Sequence, residues 1–223
     1  MKIIPGLNCA DEQCLRDRFA VLRALFEKTG FHEDPLLHLD VSDGIFTPMQ
    51  TVRNPRVVLQ LRDRTFPEAR IVAHCMVENG IQCAREWLQS GAAGALIHFD
   101  VSRREEIRAL IMEYGDRIGT VVTPGTKLEE FIPFAREVSA KNIIVLAVNP
   151  GFSGQHFNKK ALETVVALRD ALEGVTIGVD GGMNPETVAR VRKTGATNIV
   201  SSSFIFGHED PVRAFGELEA AAL

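Results

Sequence analysis

Short apolar runs alternate with longer amphipathic stretches along the whole chain. The runs Lys2–Leu7, Leu36–Val41, Arg70–Met76, Gly94–Phe99, Arg117–Val122, Asn142–Val148, Val175–Asp180 and Thr197–Ser202 have strand length and are dense in Ile, Val, Leu and Ala. Between them, segments such as Glu12–Thr29, Gly80–Gln89, Arg103–Glu113, Lys127–Val138, Lys159–Leu172 and Pro185–Lys193 read as helices. In the first of these, Leu15, Phe19, Leu22 and Phe26 recur at helical spacing and form one apolar face. Several strand runs are nearly continuous in apolar residues, as expected where helices cover a parallel sheet. Eight such repeats in 223 residues leave roughly 28 residues per unit, the compact end of what a barrel requires. The pattern predicts an α/β protein, a (β/α)8 TIM barrel forming a single domain over residues 1–223. A doubly wound open sheet is the alternative. Against it, no GxGxxG follows the first strand, and polar residues gather at strand ends throughout.

Composition narrows the function classes. A hydrophobic fraction of 45% and a charged fraction of 24% are ordinary for a globular chain. The formal net charge is -4 and no Lys or Arg run is long enough for a nucleic-acid track or a polybasic membrane patch. An anionic substrate would therefore be held locally, by backbone amides or single side chains. The start of the chain lacks the apolar core of a signal peptide, and no stretch reaches membrane-spanning length. Cys9, Cys14, Cys75 and Cys83 form no CxxC pair and read as buried or partly buried free thiols. The expected location is the cytoplasm.

A β/α barrel assembles its active site at the carboxyl ends of its strands. There the sequence places His38-Leu39-Asp40, His74, His98-Phe99-Asp100, Asn149, Asp180 and Ser201-Ser202-Ser203. Residues two apart on a strand share a face, so His38 and Asp40 can point together into the mouth. An imidazole and a carboxylate so placed suit a metal of the Zn, Mn, Fe or Co type, or a plain hydrogen-bonded pair. His98 and Asp100 offer the same spacing, and spacing cannot choose between the two pairs. His74 ends the neighbouring strand and favours the first pair. Asp180 precedes Gly181-Gly182, where it reads either as a turn residue or as a carboxylate facing Asp40 across the barrel. Three Gly- or Ser-rich endings, Asn149–Gln155, Gly181-Gly182 and Ser201–Ser203, offer backbone N–H groups for a phosphate.

These residues carry a resemblance. His38-Leu39-Asp40-Val41-Ser42-Asp43-Gly44-Ile45-Phe46-Thr47-Pro48 resembles the HxDVMDGxFVPN signature of ribulose-phosphate 3-epimerases. Val72-Ala73-His74-Cys75-Met76-Val77 is similar to that family's third-strand motif, and Val148–Gln155 to its VNPGFGGQ loop. Val179-Asp180-Gly181-Gly182-Met183 matches VDGG, and Pro5–Asp11 aligns more loosely with PSILSAD.

The resemblance implies one divalent ion held by His38, Asp40, His74 and Asp180, with no organic cofactor. His98 and Asp100 then match a motif that supplies no metal ligand, which leaves them packing and supporting hydrogen bonds. Gly151, Phe152, Ser153 and Gly154, with Gly182, Ser202 and Ser203, would hold the phosphate of a ketose phosphate. The implied reaction is epimerisation at C3, with the ion stabilising an enediolate while Asp40 and Asp180 act as base and acid from opposite faces. The resemblance also implies a homo-oligomer.

The chain departs from the family pattern where substrate would lie. Gly6 stands for Ser, Asn8 for Leu, Ser42 and Leu146 for Met, Ser202 for Gly and Thr123 for Asn, while Met76 is kept. Asn8 and Ser42 read as making the pocket around Gly6, Met76 and Leu146 more polar. That points either to a ketose phosphate other than ribulose 5-phosphate, a tetrulose, pentulose or hexulose, or to neutral drift. A barrel lyase or synthase acting on a keto-sugar phosphate is a rival, disfavoured because the second strand ends HLD and not in a DxK-like pair. A non-catalytic phosphosugar-binding protein is another, disfavoured by the retention of all four ligand positions.

Overall fold

The computed structural model describes residues 1–29, 35–149 and 156–223. Its strands are β1 (Lys2–Leu7), β2 (Leu36–Ser42), β3 (Arg70–Met76), β4 (Gly94–His98), β5 (Ile118–Val122), β6 (Asn142–Leu146), β7 (Thr176–Asp180) and β8 (Asn198–Ser201). They pair in sequence order, all parallel, and β8 closes back onto β1. The helices are α1 (Glu12–Thr29), α2 (Pro55–Thr65), α3 (Gly80–Gln89), α4 (Arg104–Tyr114), α5 (Leu128–Glu137), α6 (Lys160–Ala171), α7 (Pro185–Arg192), α8 (Ser203–Phe206) and α9 (Pro211–Ala222). The expected (β/α)8 TIM barrel is the observed fold.

Alternation along the strands divides the molecule into two cores. Leu37, Leu39 and Val41 of β2, like Ile71, Ala73 and Cys75 of β3, face the helices within the large outer core. Residues of the other parity point inward, where Leu96, Val121, Ile144 and Leu146 form a small interior cluster with Val72 packed against it. That plug needs missing side chains. A Cβ at Gly119 would lie 2.5 Å from Leu96 Cδ2, and one at Gly178 would lie 2.6 Å from Ile144 Cδ1. The two glycines give their volume to larger neighbours, and on the amino-terminal side of the cluster a cavity of about 200 Å³ remains, lined by Ile4, Leu36, Val72, Ile144 and Asn198.

Helices α2 and α9 were not among the segments read from the sequence, although each carries a start signal. Asn54 Oδ1 accepts from the Arg56 backbone N–H at 3.0 Å, ahead of Pro55. Asp210 Oδ1 does the same for Val212 at 3.0 Å, ahead of Pro211. An Asx cap followed by proline at the first helical position is the expected N-terminus. Five of the eight strands are one or two residues shorter than the sequence reading, as β4 is, while β2 runs one residue longer. Phe99 turns outward past His98 and meets Phe131 edge-on with ring centroids 4.9 Å apart.

One expectation is corrected. Cys9 and Cys14 are joined by a disulfide, with Cα atoms 5.5 Å apart, while Cys75 and Cys83 are free and buried. The turn between β1 and α1 brings the two sulfurs together although their spacing matches no redox motif. Among the described residues, no helix is long and apolar enough to cross a membrane.

Candidate active site

Register decides which polar residues meet at the mouth. Asp40 on β2 pairs with His74 on β3, and His38 pairs with Gly6 of β1 on its other side. Asp180 ends β7 opposite Leu146. Between β7 and β2 lie β8 and β1, whose inward residues at this level, Val200 and Gly6, are small. The Asp180 carboxylate therefore reaches His38, with its Oδ2 3.6 Å from His38 Nε2 and 4.0 Å from His74 Nδ1. His38 Nε2 lies 3.1 Å from Asp40 Oδ1 and 3.1 Å from His74 Nδ1, and His74 Nδ1 lies 3.3 Å from Asp40 Oδ1. His38, Asp40, His74 and Asp180 can each offer one donor atom to a set in which all lie within 4.8 Å of one another.

That set fits a metal ion. Ligand bonds of about 2.0–2.2 Å place tetrahedral donors roughly 3.3–3.6 Å apart, and the measured separations bracket this value. Two imidazole nitrogens and two carboxylate oxygens suit Zn, Mn, Fe or Co. Lone pairs converging this closely repel one another unless a proton or a cation sits among them.

The surroundings set the charge of each group. Burial would raise the Asp40 carboxyl, but hydrogen bonds from His38 and His74 outweigh it and hold the pKa far below the usual carboxylate range. Asp180 moves the other way: burial raises it, and the Asp40 charge adds to that against the pull of His38. Burial opposes a charge on His38, yet the Asp40 bond and the Asp180 charge lift its pKa above the ordinary value. A bound cation would lower the pKa of both carboxyls, leaving Asp180 the weaker acid of the two.

His98 lies one strand beyond the ligand set, paired in register with Val121. Its Nε2 is 2.9 Å from His74 Nε2, and the two rings stack with centroids 5.0 Å apart. Burial, and secondarily His74, hold the His98 pKa down to about 2, so the ring is neutral. It can then accept the His74 Nε2–H, which leaves His74 Nδ1 bare toward the cluster. Asp100 points elsewhere. Its Oδ2 accepts from Thr123 Oγ1 at 2.9 Å and Thr126 Oγ1 at 2.5 Å, tying the loops after β4 and β5.

The other sequence candidates divide. Gly182 and Ser203 line one cleft of about 440 Å³ together with His156, Asn184 and Phe204. Gly181 and Gly182 take φ of +105° and +68°, a turn closed to other residues, where a Cβ on Gly182 would lie 3.0 Å from the Phe157 backbone. Gly151, Phe152, Ser153 and Gly154 lie outside the described residues. Met76 and Leu146 are buried on the inward faces of β3 and β6.

Ser42 requires a correction. It is fully buried, its hydroxyl 2.6 Å from Thr47 Oγ1 and donating to the Met49 carbonyl at 2.8 Å. It fastens the loop after β2 and adds no polarity to the pocket. Asn8 does reach the mouth, but its Oδ1 accepts from Ser202 Oγ at 3.2 Å and from Arg18 Nη1 at 2.6 Å. Sequence reasoning missed Arg18, a charged residue inside a helical segment, and His156, which follows the glycine-rich sequence 151–154.

Fold and site define a (β/α)8 barrel with a candidate two-His, two-Asp metal centre at its carboxyl-terminal mouth. Among solved structures, it matches 3-hexulose-6-phosphate synthase from Salmonella typhimurium at 15% identity and a TM-score of 0.71, covering 100% of this chain and 98% of that one. Orotidine 5'-phosphate decarboxylase from Pyrococcus horikoshii matches at 18% identity and a TM-score of 0.69, covering 99% and 98%. At such identities these likenesses establish the barrel alone. Sequence relatives carry more. The cytoplasmic isoform of ribulose-phosphate 3-epimerase from rice, Oryza sativa subsp. japonica, is 37% identical over 178 residues, covering 78% of this chain and 77% of its own. Ribulose-phosphate 3-epimerase from Mycobacterium tuberculosis is 30% identical over 229 residues, covering 99% and 92%. The profile of the Ribulose-phosphate 3 epimerase family matches residues 3–206. The chain belongs to that family and is an enzyme, a carbohydrate epimerase.

Proposed function

We propose that the protein epimerises C3 of a ketose phosphate, ribulose 5-phosphate and xylulose 5-phosphate being the reference pair, with one divalent ion held by His38, Asp40, His74 and Asp180. The observation that carries this is the convergence of two carboxylates and two imidazoles at the mouth of an epimerase-family barrel. The ion, when bound, would supply positive charge beside the substrate carbonyl and make the neighbouring C–H more acidic.

The chain's own residues do the rest. The Asp40 carboxylate, the more acidic of the two, is suited to take the C3 proton on its oxygen. Asp180, with its raised pKa, is suited to hold a proton and deliver it to the opposite face of C3. In the reverse direction the roles exchange. His98 is suited to keep the His74 ring oriented. The phosphate is assigned to the cleft lined by Gly182 and Ser203, together with the glycine-rich sequence 151–154. The rice relative's designation supports a cytoplasmic location.

Asp40→Asn and Asp180→Asn test the assignment. Each should lower kcat by roughly 10²–10⁴-fold, the range of a lost general acid or base, with the far-UV circular dichroism of the wild type retained. Turnover within a few-fold of wild type in either variant would contradict it.

A further inference from the structure

Gly6, Asn8 and Ser202 meet at one place in the mouth. A Cβ on Gly6 would lie 3.1 Å from Val200 Cγ1 and 3.2 Å from Ser202 Cβ. Because Gly6 has none, Ser202 occupies that space, and its hydroxyl donates to Asn8 Oδ1. The same oxygen accepts from Arg18 Nη1. Arg18 comes from α1, and its guanidinium carbon rests 4.5 Å from the ring centroid of Phe206 at the end of α8. The guanidinium is half-buried, and its direct contacts among the described residues are with the neutral Asn8 and Phe206. Among the described residues, no carboxylate forms an ion pair with it.

Placement gives this cation a purpose. Pairing of Gly6 with His38 and of Leu7 with Leu39 sets Asn8 next in line beside Asp40, so the anchor of Arg18 lies in the layer of the candidate metal centre. Asp40 is near enough to act on the guanidinium charge. A charge withdrawn from water without a counter-ion is costly unless something compensates it. Nη1 uses one N–H on Asn8, which leaves the rest of the planar fork for a two-pronged oxyanion contact. A phosphate dianion entering a mouth that already holds two carboxylates, on a chain of net charge -4, needs such a local positive charge.

We propose that Arg18 is a specificity-determining residue that binds the phosphate of the substrate, and that Asn8, Ser202 and the bare Gly6 form the mount that aims it. The proposal rests on the ketose-phosphate reading above and adds to it a side chain where the sequence offered only backbone amides and serines.

The test separates the two claims. Inorganic phosphate is titrated into wild type, Arg18→Gln, Arg18→Lys and Asn8→Ala, with binding read by ³¹P NMR. KM is measured in parallel for ribulose 5-phosphate and for unphosphorylated ribulose. A lost charge-assisted pair should weaken phosphate binding roughly 10–100-fold in Arg18→Gln. Arg18→Lys should be intermediate, and Asn8→Ala should shift the same way by less. KM should rise for the phosphorylated ketose and stay level for the free one. Unaltered phosphate binding in Arg18→Gln, or equal losses on both ketoses, overturns the proposal. If Arg18→Gln does not fold, Arg18→Lys and Asn8→Ala decide by the same criteria. A wild type that binds phosphate through Arg18 yet exchanges no C3 proton supports this proposal and overturns the epimerase reading.

Discussion

Asp43 joins the two loops that follow the metal-candidate strands, and its replacement by Asn has a computable cost. Asp43 Oδ1 accepts from the backbone N–H of Ile45 at 2.8 Å and of Phe46 at 2.9 Å, while Oδ2 accepts from Glu78 N–H at 2.8 Å across to the loop after β3. Burial alone would raise this carboxyl, but the three bonds outweigh it and hold the pKa below the ordinary range. In Asp43→Asn the amide oxygen can keep the first two bonds, and the amide nitrogen then faces the Glu78 N–H, donor against donor. One charge-assisted bond is lost and two are weakened, so we expect a loss of roughly 2–4 kcal/mol at neutral pH. For a chain of this size that lowers Tm by roughly 5–15 °C. The sign with pH follows from the depressed folded pKa. The carboxylate's contribution is complete above the unfolded value near 3.9 and disappears as pH falls through the folded one, so wild type and variant should converge in acid. Urea unfolding at pH 7 and near pH 3 measures both. A difference under about 0.5 kcal/mol at pH 7, below one typical hydrogen bond, or one that persists undiminished in acid, would refute the reasoning.

Two further outcomes follow from the geometry. His98→Phe keeps the ring but leaves the buried His74 Nε2–H without its partner, so affinity for Zn²⁺ or Mn²⁺, read by chelator competition, should drop roughly 10–100-fold; unchanged affinity would show that His98 only packs. The Cys9–Cys14 bond closes a short loop, so Cys14→Ser should lose about 2 kcal/mol against the oxidised protein, and reductant should bring the wild type to the same urea midpoint; a midpoint indifferent to reductant would contradict this.

The barrel was legible because helix-covered strands are written as unbroken apolar runs, and eight of them stand out from Lys2 to Ser202. Helix α2 was harder to see. Its apolar residues Val57, Val58, Leu59 and Leu61 are crowded together, and the informative signal is the Asn54-Pro55 cap. At the mouth, strand parity pointed His38 and Asp40 to one face, and the structure brings them together with His74 and Asp180; spacing alone could not separate His38 from His98, which the register sets one strand beyond. Parity misled for Ser42, which has the inward phase yet spends its hydroxyl on the following loop. Arg18 was hidden because a mid-helix arginine usually marks a solvated face, and its reach to Asn8 depends on how α1 packs. The disulfide depended likewise on the turn between β1 and α1. Each of these contacts joins separate elements, and composition and periodicity carry no such distances.

The central claim is that this cluster moves the C3 proton of a ketose phosphate with the help of a bound ion. Incubating the metal-loaded protein with ribulose 5-phosphate, or with another ketose phosphate that it turns over, in deuterated solvent and following C3–H by ¹H NMR tests this directly. The account predicts wash-out of the C3 signal together with appearance of the C3 epimer, lost on chelation and restored by one divalent ion per chain. Wash-out at an undiminished rate in the stripped protein, or no wash-out from any ketose phosphate in the loaded one, would contradict it.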